Sequence, residues 1–203
     1  MSKDTHKVIP IREQIADQLR SDIVSGTLAP QTKLTEETLA SRFGVSRGPI
    51  RDVLLELTKE GLLVAKVNKG VYVNTILDPN IQDLMVHVRR EIETFAVNEL
   101  KDKITKDDVV AMKAILDTLK DAFRRKAYTE VTKADIEFHR YLIFKAGGQE
   151  LVNIWQPMVL RMRMNYTRIT DAKVSLDEHL EILNALASHD GDKAVAALLN
   201  NIR

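Results

Sequence analysis

The chain has 203 residues, 44% of them hydrophobic and 5% aromatic, with no cysteine and a formal net charge of +1. That length holds one large domain or two small ones, and so few aromatic and strand-rich runs predict a mainly helical protein without disulfides or thiolate chemistry. Residues 1–75 carry 11 Lys and Arg against 9 Asp and Glu, and the remainder 19 against 20, so any nucleic-acid footprint must come from local placement rather than bulk charge.

Residues 1–8 are expected to form a disordered arm. Met1 to Lys7 is polar and lacks the apolar segment of a signal peptide. No apolar run approaches the roughly 18 residues of a membrane span. A cytoplasmic protein that does not engage membranes is therefore expected. Ile11, Ile15, Leu19 and Ile23 recur every four residues, with Ala16 and Val24 beside them. That predicts a helix over 9–25, with Pro10 in its first turn and Gly26 as its C-terminal cap. Leu28-Ala29-Pro30 is a connector, because Pro30 cannot continue a helix.

Between Lys33 and Gly61 the pattern predicts two short amphipathic helices joined by a tight turn containing Gly44. Ser46 stands at the N-cap position of the second helix, so its hydroxyl is expected to satisfy an orphan N–H. Pro49 falls in the first turn, where a missing N–H costs least. Ile50, Val53, Leu54 and Leu57 make one apolar face. Arg47 and Arg51 lie four apart on a neighbouring face, at the leading half of that helix. A packed back and a basic leading end are what a helix-turn-helix presents to a major groove. Leu62-Leu63-Val64-Ala65 and Val71-Tyr72-Val73 then flank Lys66-Val67-Asn68-Lys69-Gly70. This predicts a hairpin wing that places Lys69 and Gly70 at a minor groove or phosphate.

Thr75 to Asn80 is the expected boundary, giving a winged helix-turn-helix DNA-binding domain over 1–74 and an all-α domain over 75–203. Helices are predicted at about 79–101, 105–126, 129–146, 148–170, 174–188 and 191–203. Thr105 and Asp108 have capping-box spacing, with Asp in place of Glu. Gly147-Gly148 should separate two helices, and Pro157 should kink the next.

The most suggestive polar group there is Asp135, His139 and His179. Asp135 and His139 share a helix face at i, i+4, and His179 lies in a later helix. A carboxylate and two imidazoles from facing helices suit a divalent transition metal. The ordinary alternative is a hydrogen-bonded Asp–His pair with His179 unrelated. His6, His87 and His189 read as solvated or structural, and Met158, Met162 and Met164 near Trp155 as core or pocket lining. Arg89, Arg90, Arg161, Arg163 and Arg168 read mostly as solvated charge. An arginine turned inward would be a fixed partner for a carboxylate. No nucleophile–base motif, phosphate loop or metalloprotease signature is present in the sequence.

Leu28-Ala29-Pro30, Lys33-Leu34-Thr35-Glu36, Leu39-Ala40, Phe43-Gly44-Val45-Ser46-Arg47, Pro49-Ile50-Arg51, Leu54, Leu57 and Glu60-Gly61-Leu62 resemble the winged-helix domain of GntR-family transcription regulators, over residues 10–74. The second half resembles the FCD ligand-binding domain of the FadR subfamily. The residues carrying that resemblance are Arg89 with Glu93, Asp135-Ile136-Glu137-Phe138-His139, Glu178-His179, and Asp190 with Ala194. The resemblance implies a homodimer, formed largely through the helical domain, that reads a palindromic double-stranded operator. It implies that Arg47 and Arg51 contact guanines, that Gly48 admits the backbone closely, and that Thr35 and Ser46 hold phosphates. Gly70 would reach the minor groove.

The family's metal is usually held by one Asp and three His. Asp135, His139 and His179 match three of these positions, and Asn201 stands where the fourth His belongs. An asparagine amide is a poor exchange for imidazole on Zn²⁺ or Ni²⁺. Other departures are Glu37, where many members carry an Arg that contacts DNA, and Gln149, where Asn is usual. Members commonly continue the last helix beyond Arg203, which suggests an early stop or a truncated chain.

The function expected is a ligand-responsive DNA-binding regulator, and in its commoner form a repressor. Its effector would be a small carboxylate held on a metal or by Arg89, with Arg163 as a second effector-binding arginine. The rivals are a metal-dependent helical enzyme using Asp135, His139 and His179, and a winged-helix protein-interaction module.

Overall fold

The computed structural model describes residues 10–165 and 171–202. The expected N-terminal arm, His6, Arg168 and Arg203 lie outside the described residues. The chain forms two compact units, meeting in sequence between Thr75 and Ile76.

The first unit begins with helix α1, Ile11–Val24, which buries Ile15, Leu19 and Ile23. Pro10 precedes the helix as its N-cap, and Ser25 is its C-cap. Gly26 follows at φ 77°, a left-handed conformation that glycine adopts without penalty. Helix α2, Glu36–Phe43, is started by Thr35, whose side chain accepts from the Thr38 N–H. Gly44 at φ 65° ends it, and α3, Arg47–Lys59, follows after a two-residue turn. Ile50, Val53, Leu54 and Leu57 are all buried, so the apolar face read from spacing is the packed one. Arg20 of α1 ties this packing down by reaching Glu56 at 2.5 Å and Glu60 at 2.5 and 2.8 Å. The expected cap of α3 differs. Ser46 occupies the N-cap with extended backbone, but its side chain makes no capping hydrogen bond. That helix end is exposed, and water can satisfy its N–H groups.

The wing is β2, Leu63–Lys66, and β3, Gly70–Val73, paired antiparallel from Leu63↔Val73 to Lys66↔Gly70. A two-residue strand β1, Lys33–Leu34, pairs with the other edge of β3 and makes a three-stranded sheet of order β1-β3-β2. Only Leu34 of β1 is buried, so the strand has no alternation to read.

The second unit contains helices α4, Pro79–Leu100, α5, Lys106–Arg124, α6, Tyr128–Arg163, α7, Ala172–Ala187, and α8, Gly191–Asn201. The Thr105–Asp108 capping box starts α5. The break in α6 falls at Gly148, whose backbone (φ 62°, ψ −160°) is non-helical, while Pro157 keeps helical angles. The predicted 148–170 helix ends its described portion at Arg163, and Ile202 is already extended. Met112, Leu116, Leu119, Phe138, Leu142, Leu183 and Leu198 build the main core. Ala96, Ile143, Val152, Trp155 and Val159 form a second cluster, against which Met158 packs. Met162 is fully buried, as a core methionine should be. Among the described residues no helix is long and apolar enough to cross a membrane.

Candidate nucleic-acid interface and metal centre

The leading end of α3 and the start of α2 bring four charged side chains together. Arg51 holds Glu36 in a two-pronged hydrogen bond, Nε to Oε1 and Nη2 to Oε2, both at 3.0 Å. Hydrogen bonding to Arg51 lowers the Glu36 pKa. Arg47 Nη2 lies 3.8 Å from Glu37 Oε1, and both side chains are well exposed. The Arg51–Glu36 clasp was not foreseen from sequence, although both residues stood inside the motif.

Gly48 is exposed, and a Cβ built there would meet nothing within 4 Å. Ser46 is exposed as well. Thr35 Oγ1 is engaged within α2, 2.8 Å from Thr38 Oγ1. On the wing, Lys69 and Gly70 are exposed, Gly70 at φ 100°. Lys66 lies over the Tyr72 ring at 4.5 Å and donates to Gln31.

In the second unit α6 supplies Asp135 and His139, and α7 supplies His179. All three are buried, with candidate ligand atoms within 4.8 Å of one another. His139 Nδ1–H donates to Glu93 Oε2 at 2.7 Å, and His179 Nδ1–H donates to the Ser175 carbonyl at 2.6 Å. A carbonyl or ionised carboxylate can only accept, so each Nδ1 carries the proton and each Nε2 is the ligating nitrogen. Both Nε2 atoms are buried without a hydrogen-bond partner. That of His179 stands 3.4 Å from Asp135 Oδ1. Burial, then the nearby His139, pushes the His179 pKa down to about 3, so the ring is neutral in the folded chain. Donor set, tautomers and orphaned nitrogens all fit a divalent transition metal.

Two arginines turn inward. Arg89 Nε donates to Glu93 Oε1 at 2.6 Å, and Arg163 pairs with Asp135 Oδ2. Both are buried, so they are the inward-turned arginines rather than part of a solvated face. Trp155 Nε1 also donates to Glu93 Oε1, at 2.8 Å. Burial alone would push Glu93 up, but the charge of Arg89 and the hydrogen bonds from His139 and Arg89 overcome it and hold the carboxyl well below the usual range. Glu93 is thus the hub of the cluster, a role that neither its i, i+4 spacing from Arg89 nor its place in the resemblance revealed. Asn201 donates to Glu178 Oε2 at 3.1 Å, one residue from His179. Of the histidines set aside, His87 is exposed and His189 Nδ1 bonds the Lys101 carbonyl.

Comparison with known proteins agrees with both halves. Residues 11–73 match the bacterial regulatory proteins of the gntR family, and residues 84–203 match the FCD domain. The HTH-type transcriptional repressor RspR of Escherichia coli K12 is 29% identical over 198 residues, covering 96% of this chain and 86% of its own. The gluconate operon transcriptional repressor of Bacillus licheniformis is 27% identical over 197 residues, covering 93% and 80%. Among solved structures, E. coli McbR/YncC has the same fold, with a TM-score of 0.83 at 18% identity, covering 96% of this chain and 94% of that one. FCD domains often bind metal, and the Asp135–His139–His179 cluster is a group that can hold one. This chain belongs to the GntR family of transcription regulators, a DNA-binding helix-turn-helix followed by an FCD domain, and it is a regulator rather than an enzyme.

Proposed function

We propose that the chain is a cytoplasmic, ligand-responsive repressor that binds a palindromic operator as a homodimer and senses a small organic acid through a divalent metal in its helical domain. The observation that carries the sensing half is the convergence of two buried, unpartnered imidazole Nε2 atoms on Asp135. A bound Zn²⁺ or Ni²⁺ would supply the positive charge that receives the acid's carboxylate. The charge balance favours that route over Arg89 alone. Arg89 and Arg163 are offset by Glu93 and Asp135, so the buried group is neutral until a cation adds charge. A buried surplus of positive charge calls for an anion. Arg163 then holds Asp135, and Arg89 acts through Glu93 on His139.

On the DNA side, Arg47 and Arg51 would read guanines from the leading end of α3. Thr35 and Ser46 would hold phosphates, with the Ser46 hydroxyl spared from capping. Gly48 gives an open approach, and Lys69 and Gly70 carry the wing contact. Dimerisation through the helical domain is supported by Ile81, Leu84 and Phe95, exposed large apolar residues that share one stripe of α4. The relatives' repressor names support repression as the direction.

The test is a salt-dependent gel shift with genomic fragments, alongside the metal content of the purified protein. Binding by a dimer that weakens steeply with salt, and about one metal per chain lost in a His139→Ala/His179→Ala variant, are expected. Salt-insensitive or absent DNA binding would sink the operator reading, and a metal-free protein that takes up no Zn²⁺ or Ni²⁺ would sink the sensing reading.

A further inference from the structure

The two glutamates that open α2 are not used alike. Glu36 is the more buried, and both its oxygens are taken by Arg51. It acts as a buttress that fixes the Arg51 guanidinium in one plane. Glu37 is 79% exposed at its side chain and meets Arg47 through a single contact of 3.8 Å. Most of its acceptor capacity therefore remains open, and its carboxylate stands beside a guanidinium at the edge of the helix-turn-helix.

A carboxylate on a DNA-facing edge repels phosphates unless a base gives it a proton to accept. In the major groove cytosine N4 and adenine N6 are the base donors, and guanine offers the adjacent acceptors O6 and N7. A G·C pair presents guanine's acceptors and cytosine's donor along one edge. Arg47 and Glu37 present the complementary pattern, donors beside an acceptor. Resting on the reading that the leading end of α3 enters the major groove, we infer that Glu37 is a base-reading residue, and that with Arg47 it recognises one G·C pair in each half-site. The pair also keeps Arg47 partly neutralised away from DNA. The exchange of Glu37 for a guanine is then complete only where cytosine takes up the released carboxylate.

The experiment is selection from a randomised duplex library with the full chain, followed by affinity measurement on the selected duplex and its single-base variants. The wild type should select a G·C pair at one position of each half-site, and changing that cytosine to thymine in a C·G→T·A swap should cost roughly 5–100-fold. Glu37→Ala should lose most of that discrimination while binding random duplex more tightly. Glu37→Gln should move the preference at the same step toward adenine, which glutamine reads through N6 and N7. Arg47→Ala should weaken binding to the selected duplex. If Arg47→Ala weakens binding but Glu37→Ala and Glu37→Gln keep the wild-type base preference at every position, Glu37 is only a surface ion-pair partner and the inference is overturned. If Arg47→Ala and Arg51→Ala both bind as the wild type does, the underlying placement of α3 is wrong instead.

Discussion

Glu93 shows how one buried carboxylate sets the chemistry around it. Its Oε1 accepts from Arg89 and Trp155, and its Oε2 accepts from His139 Nδ1. A glutamine there can accept at one atom only, so Glu93→Gln leaves either Arg89 or His139 without its partner. A second-sphere partner of a ligating histidine is worth 10–100-fold in metal affinity, and an unpaired buried arginine costs ~3–5 kcal/mol. The variant should therefore bind Zn²⁺ at least tenfold more weakly and unfold at lower urea concentration, measured by competition with a chromophoric chelator and by circular dichroism. Trp155→Phe, which spares the His139 bond, should keep the metal affinity within a few-fold.

Asp108 makes a pH-dependent prediction. It accepts from Thr105 N–H at 3.0 Å, Thr105 Oγ1 at 2.7 Å and Tyr141 Oη at 2.8 Å, and Lys145 Nζ stands 2.6 Å away. Burial alone would raise its pKa, yet Lys145 and Thr105 hold it far below the ordinary range, while burial and Asp108 push Tyr141 up to about 12. A carboxyl depressed on folding contributes stability that is present above its unfolded pKa of about 4 and is lost as pH falls through the folded value. Asp108→Asn should cost about 2–3 kcal/mol near pH 7. The gap to wild type should narrow below pH ~4 in urea titrations read at several pH values.

At the scale of elements, the contrast between two glycines separates conformation from space. Gly148 interrupts α6 at φ 62°, ψ −160°, a region that only glycine occupies readily, although a Cβ there would touch nothing within 4 Å. Gly48 sits inside α3 with helical backbone and equally open space. Gly148→Ala should lose roughly 1–3 kcal/mol through backbone strain. Gly48→Ala should hold or gain about 0.5–1 kcal/mol while weakening operator binding, because the new methyl would face DNA. Urea melts of both variants, with a gel shift on the second, check the pair. The same two positions show what spacing can and cannot read. The face of α3, the Gly44 turn, the Thr105–Asp108 cap and the paired glycines before Gln149 are local features, and they stood in the sequence. Whether Gly148 or Pro157 bends α6 depends on backbone angles that composition does not specify. Strand β1 was invisible because two residues have no period. The Glu93–His139 bond joins residues 46 apart, and no spacing rule reaches across two helices.

For the molecule as a whole, regulation requires the two functions to share a free energy. If metal and carboxylate bind the DNA-competent and DNA-incompetent forms unequally, operator affinity changes by a factor α, and by linkage the operator changes carboxylate affinity by the same α. A coupling of ~1–3 kcal/mol corresponds to roughly 5–150-fold. With Arg89 and Arg163 already balanced by Glu93 and Asp135, a carboxylate held at the proposed site would gain net charge to bind only from a metal. On the proposed reading, a small carboxylic acid that shifts operator affinity in Zn²⁺-loaded protein should shift nothing when added to chelator-treated protein. Calorimetric titration of the acid with and without a saturating operator duplex should return the reciprocal factor. The cycle must close, so equal acid affinity in the two titrations, alongside an acid-dependent change in operator affinity, would mean that the titrated binding is not the coupled event. It would then place the acid's effect outside this site.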